Sequence, residues 1–238
     1  MNKFGEASST TILTLLEETA ADHCFDINHS LYTLEKQNIG WVLVSGFLQM
    51  YRYPKYKEKI TIRTWLSKYS TIKGIRENII YDEQGLVIGR GKGVWVFFDI
   101  ERRRPIQILD DIKEKWSFCS EQSVEHNVSK KILPIDTDAN VREYKVHRFD
   151  VDSNKHVNNI RYLQWVTESI SDEIVDNYTM HSIDGRFIAE AQLGDTILSF
   201  TEKDSQENSF VHTIRTQDGK VCATAKTVWK KRNNNADK

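Results

Sequence analysis

Two stretches of this 238-residue chain align without a gap, and that internal repeat constrains the fold more than any other feature. One is YDEQGLVIGRGKGVWVFFD, Tyr81 to Asp99; the other is RTQDGKVCATAKTVWKKR, Arg215 to Arg232. With Gly85 set on Gly219, Val94-Trp95 falls on Val228-Trp229. Each reads as a turn at the glycine followed by a long strand. Alternate residues of a strand share a face. Gly89, Gly91 and Gly93 therefore line one side of the first strand, and Ala223, Ala225 and Thr227 the same side of the second. A strip of small residues lets a helix lie close across a sheet. A phosphate cradle in GRGKG would need a helix after it, and here the strand continues.

Each copy is preceded by one candidate central helix. In the first half it covers about residues 9 to 24, with Ile12, Leu15, Leu16, Thr19 and Ala20 at helical spacing; in the second it covers about 157 to 175, with Ile160, Leu163, Val166, Ile170 and Ile174. Strands alone follow each helix: WVLVSGFLQMYRY, KITIRTWL and RENIIYD in the first half, GRFIAEAQ, DTILSFTEK and SFVHTIRT in the second. A helix followed by antiparallel strands, twice, is an α+β pattern. The expected units are 1–105 and 141–232. Between them lies a polar connector, 106–140, with a short helix around Leu109 to Trp116, and 233–238 is a solvated tail.

Composition narrows the function. Hydrophobic residues make up 39% and aromatics 11%, enough for a core, while the formal net charge is −1. A nucleic-acid binder would carry a basic excess. Cys24, Cys119 and Cys222 are far apart and odd in number, which suits a reducing compartment and not a disulfide framework or a zinc site. No apolar run is long enough to span a membrane, and the N-terminus lacks the basic and apolar regions of a signal peptide. A cytoplasmic protein without membrane contact is expected.

The chemistry concentrates in DVDSNKHVNN, residues 150 to 159, directly ahead of the second helix. Asp and Asn are good caps and turn formers, so a purely structural reading stands beside a functional one. A calcium loop fits less well: the sixth place from Asp150 is not Gly, and the twelfth, Arg161, is not Glu. In the functional reading, Asp152, Asn154 and His156 sit just outside a helix N-terminus, whose amides polarise a carbonyl while the His shares in proton transfer. Glu190, in RFIAEAQLGD, is the second candidate. A carboxylate in an apolar strand is costly to bury unless paired, though a solvent face or strand end explains it equally well.

The segment DVDSNKHVNNIRYLQWVTES resembles the active-site region of the fatty acyl-ACP thioesterases, the FatA/FatB-like enzymes of plants and their bacterial relatives. The resemblance extends to WVLVSGFLQMYRYPKYKEKITIRTWL and RGKGVWVFFDIERRRP and so covers most of the chain. It implies two tandem hotdog domains, each a long central helix wrapped by a curved antiparallel sheet. It implies hydrolysis of fatty acyl-ACP thioesters to free fatty acid and holo-ACP, terminating fatty acid synthesis, with no metal or redox cofactor. The family's catalytic Asp, Asn, His and Glu fall on Asp152, Asn154, His156 and Glu190. The carrier protein is the implied partner, and the chain a monomer or homodimer. An acyl-CoA thioesterase and a non-catalytic acyl-binding protein are the rival readings.

Two departures from the family matter. Many plant members have Cys after the catalytic Glu, and here Ala191 excludes a thiol nucleophile at that place. MNKFGEASST leaves almost no room for the strand that normally precedes the first helix. The first half has no His-bearing counterpart to the polar segment, so the resemblance gives it the acyl chain to hold. An acidic carrier would dock on a basic cluster, Arg102 to Arg104 or Lys130 and Lys131.

Overall fold

The computed structural model describes residues 1–135, 140–152 and 156–232. The chain forms two compact units, Met1–Ser129 and Lys130–Lys238. The expected tail, 233–238, lies outside the described residues.

The first unit is built on α1 (Ser9–Asp26). Ile12, Leu16, Ala20 and Cys24 recur every fourth residue and all are buried. Ser8 caps the helix, its Oγ accepting the Thr11 N–H at 3.1 Å. A short α2 (Leu31–Glu35) leads into four antiparallel strands: β1 (Ile39–Met50), β2 (Thr61–Tyr69), β3 (Lys73–Tyr81) and β4 (Val87–Asp99). Their spatial order is β2-β3-β4-β1, and a two-residue β5 (Arg104–Pro105) pairs with the end of β4. Among the described residues no strand precedes α1; Glu6 makes only an isolated bridge with Lys55.

The glycine strip has the expected face but a mixed purpose. A Cβ at Gly91 would lie 3.0 Å from Leu16 Cδ1, so the helix does press on the sheet there. At Gly89 and Gly93 the space is filled by Met50 and Leu43, both on β1. Gly85 holds φ at +79° in the turn before β4, as Gly219 does at +89° before the last strand, so the aligned glycines make like turns.

The polar connector is not a free linker. It forms α3 (Asp110–Lys115), and Glu121 to Val124 then bind the sheet face opposite α1. Glu77 and Lys92 pair in register on that face. Ser123 donates its N–H and its hydroxyl to Glu77 Oε2 at 2.9 and 2.6 Å. Lys92 Nζ donates to Gln122 Oε1 and to the Val124 carbonyl at 2.8 and 3.0 Å.

The second unit contains β6 (Val141–Lys145), a 3-10 turn at Arg148–Asp150, α4 (Asn159–Glu168), α5 (Asp172–Asn177), β7 (Tyr178–Phe187), β8 (Thr196–Lys203), β9 (Ser209–Thr216) and β10 (Val221–Lys231). Its strand order is β7-β10-β9-β8-β6, all neighbours antiparallel. Ala223, Ala225 and Thr227 of β10 are buried, as the repeat requires. The helix expected over 157–175 is two helices. Ser169 turns its hydroxyl back to the Trp165 carbonyl at 2.9 Å and onto Ser199 Oγ at 2.7 Å. Such local bonding competes with helix continuation, and Ser171 then begins α5 as its N-cap residue.

Candidate active site

Sequence order brings Asp152 and His156 close together, and local backbone bonds hold them there. The Asp152 N–H donates to the His156 carbonyl at 2.9 Å, and the His156 N–H donates to Asp152 Oδ1 at 3.4 Å. Val151 and Val157 form an antiparallel bridge just outside this pair. The loop is thus cinched at its base immediately before α4. In these bonds Asp152 holds the backbone of His156. Asn154 lies outside the described residues.

Glu190 arrives from a different part of the unit. Its expected place within a strand is corrected: β7 ends at Phe187, and Glu190 lies in the irregular segment beyond it. Nor is it deeply buried, since its side chain is 41% exposed. What marks it out is its neighbour: Glu190 Oε2 lies 3.3 Å from His156 Nε2. A carboxylate and an imidazole at that separation, 34 positions apart in sequence, can exchange a proton and jointly orient a water.

The segment carrying Glu190 is fixed from three sides. The Val157 N–H donates to the Ala191 carbonyl at 3.2 Å. The Ala191 N–H donates to the phenolic oxygen of Tyr162 at 2.8 Å. Lys220 Nζ donates to the Glu190 carbonyl at 2.8 Å. Tyr162 and Lys220 are absent from the sequence reading. Tyr162 was legible as an aromatic with a polar tip on the apolar face of α4, which needs a partner once buried. Lys220 carried no local signal.

The N-terminal end of α4 differs from the expected bank of open amides. The N–H groups of Val157, Asn158, Ile160 and Arg161 are bonded to Ala191, to Asp150 and, for the last two, to Asn158. Polarisation of a bound carbonyl therefore cannot draw on those four.

The two buried thiols do not compete for the chemistry. Burial pushes the Cys222 thiol up to about 11 and raises that of Cys24, which disfavours the nucleophilic thiolate. Ala191, next to Glu190, is fully buried. Among the described residues no cluster of His, Cys, Asp and Glu has the arrangement of a metal site.

Comparison with known proteins places both units. The acyl-ACP thioesterase N-terminal domain profile matches residues 3–116, and the acyl-ACP thioesterase C-terminal domain profile matches residues 134–231. The chain is 29% identical over 259 residues to oleoyl-acyl carrier protein thioesterase 1, chloroplastic, of Arabidopsis thaliana, covering 95% of this chain and 72% of that one. It is 30% identical over 233 residues to the oleoyl-acyl carrier protein thioesterase of Coriandrum sativum, covering 91% and 63%. Its fold matches an acyl-ACP thioesterase from Bacteroides thetaiotaomicron with a TM-score of 0.86 at 20% identity, over 97% of this chain and 93% of that one. The 12:0-ACP thioesterase from Umbellularia californica gives 0.85 at 19% identity, over 98% and 93%. These are tandem hotdog folds, as the resemblance implied, and the doubled α+β plan is the one the repeat implied.

Proposed function

The chain belongs to the acyl-ACP thioesterase family, and we propose that Glu190 and His156 carry its reaction, with Asn154 holding the carbonyl oxygen or the water and Asp152 orienting the cluster. The enzyme hydrolyses acyl-ACP to free fatty acid and holo-ACP. Glu190 takes a proton from water, and the resulting hydroxide equivalent adds to the thioester carbonyl. The C–S bond then breaks, and the departing thiolate collects a proton through His156. Water supplies the oxygen of the acid and the hydrogen of the thiol, so the step balances without a cofactor. The single observation that carries this assignment is the 3.3 Å approach of His156 Nε2 to Glu190 Oε2.

The catalytic groups all fall in the second unit, and the first is assigned the acyl chain. The three cysteines are free, which suits a reducing cytoplasm and an enzyme that ends fatty acid synthesis there.

The test is hydrolysis across a panel of acyl-ACPs and matching acyl-CoAs, by wild type and Glu190→Gln. Faster turnover of the carrier-bound substrates, abolished in the variant, is the expected result. Equal or faster turnover of the CoA series moves the substrate to acyl-CoA. Undiminished hydrolysis by folded Glu190→Gln removes Glu190 from the mechanism.

A further inference from the structure

Inside the first unit, on the sheet face that meets α1, lies a positive charge with no carboxylate. Arg76 of β3 pairs in register with Gly93, two residues from the Gly91 that touches Leu16, so its side chain points to the helix side. Only 5% of its surface is exposed. One guanidinium nitrogen donates to His23 Nδ1 and Thr64 Oγ1, each at 3.1 Å. The other has the Cys24 sulfur at 4.0 Å. Burial, and then Arg76 itself, lower the His23 pKa, which keeps that ring a neutral acceptor. Among the described residues no Asp or Glu pairs with Arg76. An isolated buried cation is costly, and a buried charge left without its partner is strongly destabilising.

The surroundings are rich in donors. The guanidinium lies over the Trp116 ring, 5.8 Å from its centroid, and Trp116 stacks on Trp41 with ring centroids 5.2 Å apart. The indole N–H groups of both tryptophans are buried without a hydrogen-bond partner. Two orphaned donors beside an unneutralised guanidinium call for an acceptor that carries negative charge. Elsewhere this side is mostly apolar, with Leu16, Leu48 and Phe97 buried on it; Asn78 is buried there too, and its Oδ1 has no hydrogen-bond partner. A crevice lined by Leu66, Ile108, Trp116 and Phe118 abuts the indole, and the exposed Phe118 packs edge-on against Tyr69 at its rim.

We propose that the first unit binds an aliphatic carboxylate, with the carboxylate oxygens on Arg76 and the indole N–H groups and the chain along the apolar face of the sheet. Charge-assisted bonds from a planar guanidinium fork suit a carboxylate better than a hydroxyl or a methyl end. Two molecules share this chemistry: a free fatty acid, and an acyl thioester whose far end is itself a carboxylate. The inference draws on the thioesterase reading only for the aliphatic tail, and its main readout is equilibrium binding, which needs no hydrolysis.

The experiment is calorimetric titration of the full-length protein with dodecanoate and with dodecan-1-ol. Wild type is expected to bind the acid at least about tenfold more tightly than the alcohol. Arg76→Met is expected to lose that preference while still binding the alcohol, which reports an intact fold. Equal affinity for both ligands in wild type, or an undiminished preference in Arg76→Met, overturns the proposal. Should Arg76→Met fail to fold, a crystal structure of the wild-type dodecanoate complex decides. A carboxylate oxygen within hydrogen-bond reach of the guanidinium supports the site; a water alone against Trp116 Nε1 overturns it. Comparing kcat/KM for dodecanoyl and ω-carboxydodecanoyl thioesters separates the two sources. Preference for the ω-carboxyl substrate identifies the far end of an acyl chain; discrimination against it, with dodecanoate still bound, identifies the free acid.

Discussion

Glu77 and Lys92 face each other across β3 and β4 with Oε1 and Nζ 3.2 Å apart, both removed from water. Neither charge depends on the other alone, because Ser67, Ser123 and Gln122 complete their hydrogen bonds. The pair is therefore what ties the connector to the sheet. Removing one partner leaves a buried charge uncompensated, so Glu77→Gln and Lys92→Met should each destabilise the fold by about 3–5 kcal/mol. The double replacement Glu77→Gln with Lys92→Met should cost clearly less than the sum. Denaturant unfolding of the four proteins checks this.

Glu190→Gln and His156→Ala should each lower turnover by about 10²–10⁴-fold, the range for a positioned base or acid. Both side chains are partly exposed, so unfolding midpoints should shift little. The double variant should lose much less than the product of the two, because the groups act as one proton-transfer unit. Steady-state kinetics on acyl-ACP measures all three.

Tyr162→Phe removes the acceptor of the Ala191 N–H and frees the segment that presents Glu190. A fall in kcat of about tenfold, equivalent to roughly 1.4 kcal/mol, is expected with KM little changed. A loss of stability alone, with unaltered kcat, would show the bond to be merely structural.

His212 should make the fold acid-sensitive. It is fully buried between Thr201 and Thr227, bonded to each at 2.9 Å, and burial pushes its pKa down to about 3. The unfolded ring takes up a proton near pH 6.5, while the folded ring refuses one until far lower. Its contribution is thus complete above pH 6.5 and is lost as pH falls toward 3, at up to about 1.4 kcal/mol per pH unit. Replacing His212 with Gln should flatten that slope while lowering stability at pH 7. Thermal unfolding from pH 7 to pH 4 tests both signs.

The carrier should be steered by charge although the chain carries a net of only −1. Salt screens such attraction over about 8–10 Å, so kcat/KM for acyl-ACP should fall with salt while kcat holds. Charge reversal at Lys130 and Lys131, or at Arg103 and Arg104, should raise KM for acyl-ACP and leave a small neutral thioester unaffected. Arg102 is paired with Asp99 at 3.2 Å, so its reversal would also break that pair. An identical response of both substrates would exclude an electrostatic dock.

The sequence by itself determined the doubled α+β plan, because the period-two strip from Gly89 to Gly93 and its echo from Ala223 to Thr227 read as strand faces, each in a half that opens with one helical stretch. It also placed Asp152 and His156 together, since four residues of chain cannot separate them far. The tertiary structure alone decided the rest. Glu190 reaches His156 from 34 positions away, and Tyr162 and Lys220 hold its backbone, through contacts that no local spacing encodes. The second helix stops at Glu168 because Ser169 finds Ser199 across the fold, a partner invisible to helical periodicity. The connector read only as polar for the same reason: Ser123 and Gln122 look like surface residues until Glu77 and Lys92, 46 and 30 positions before them, bring their charges to the same buried face. Local composition specifies which face of an element is apolar. Which polar groups meet inside is set by long-range packing, since each buried charge must find its partners wherever the fold places them.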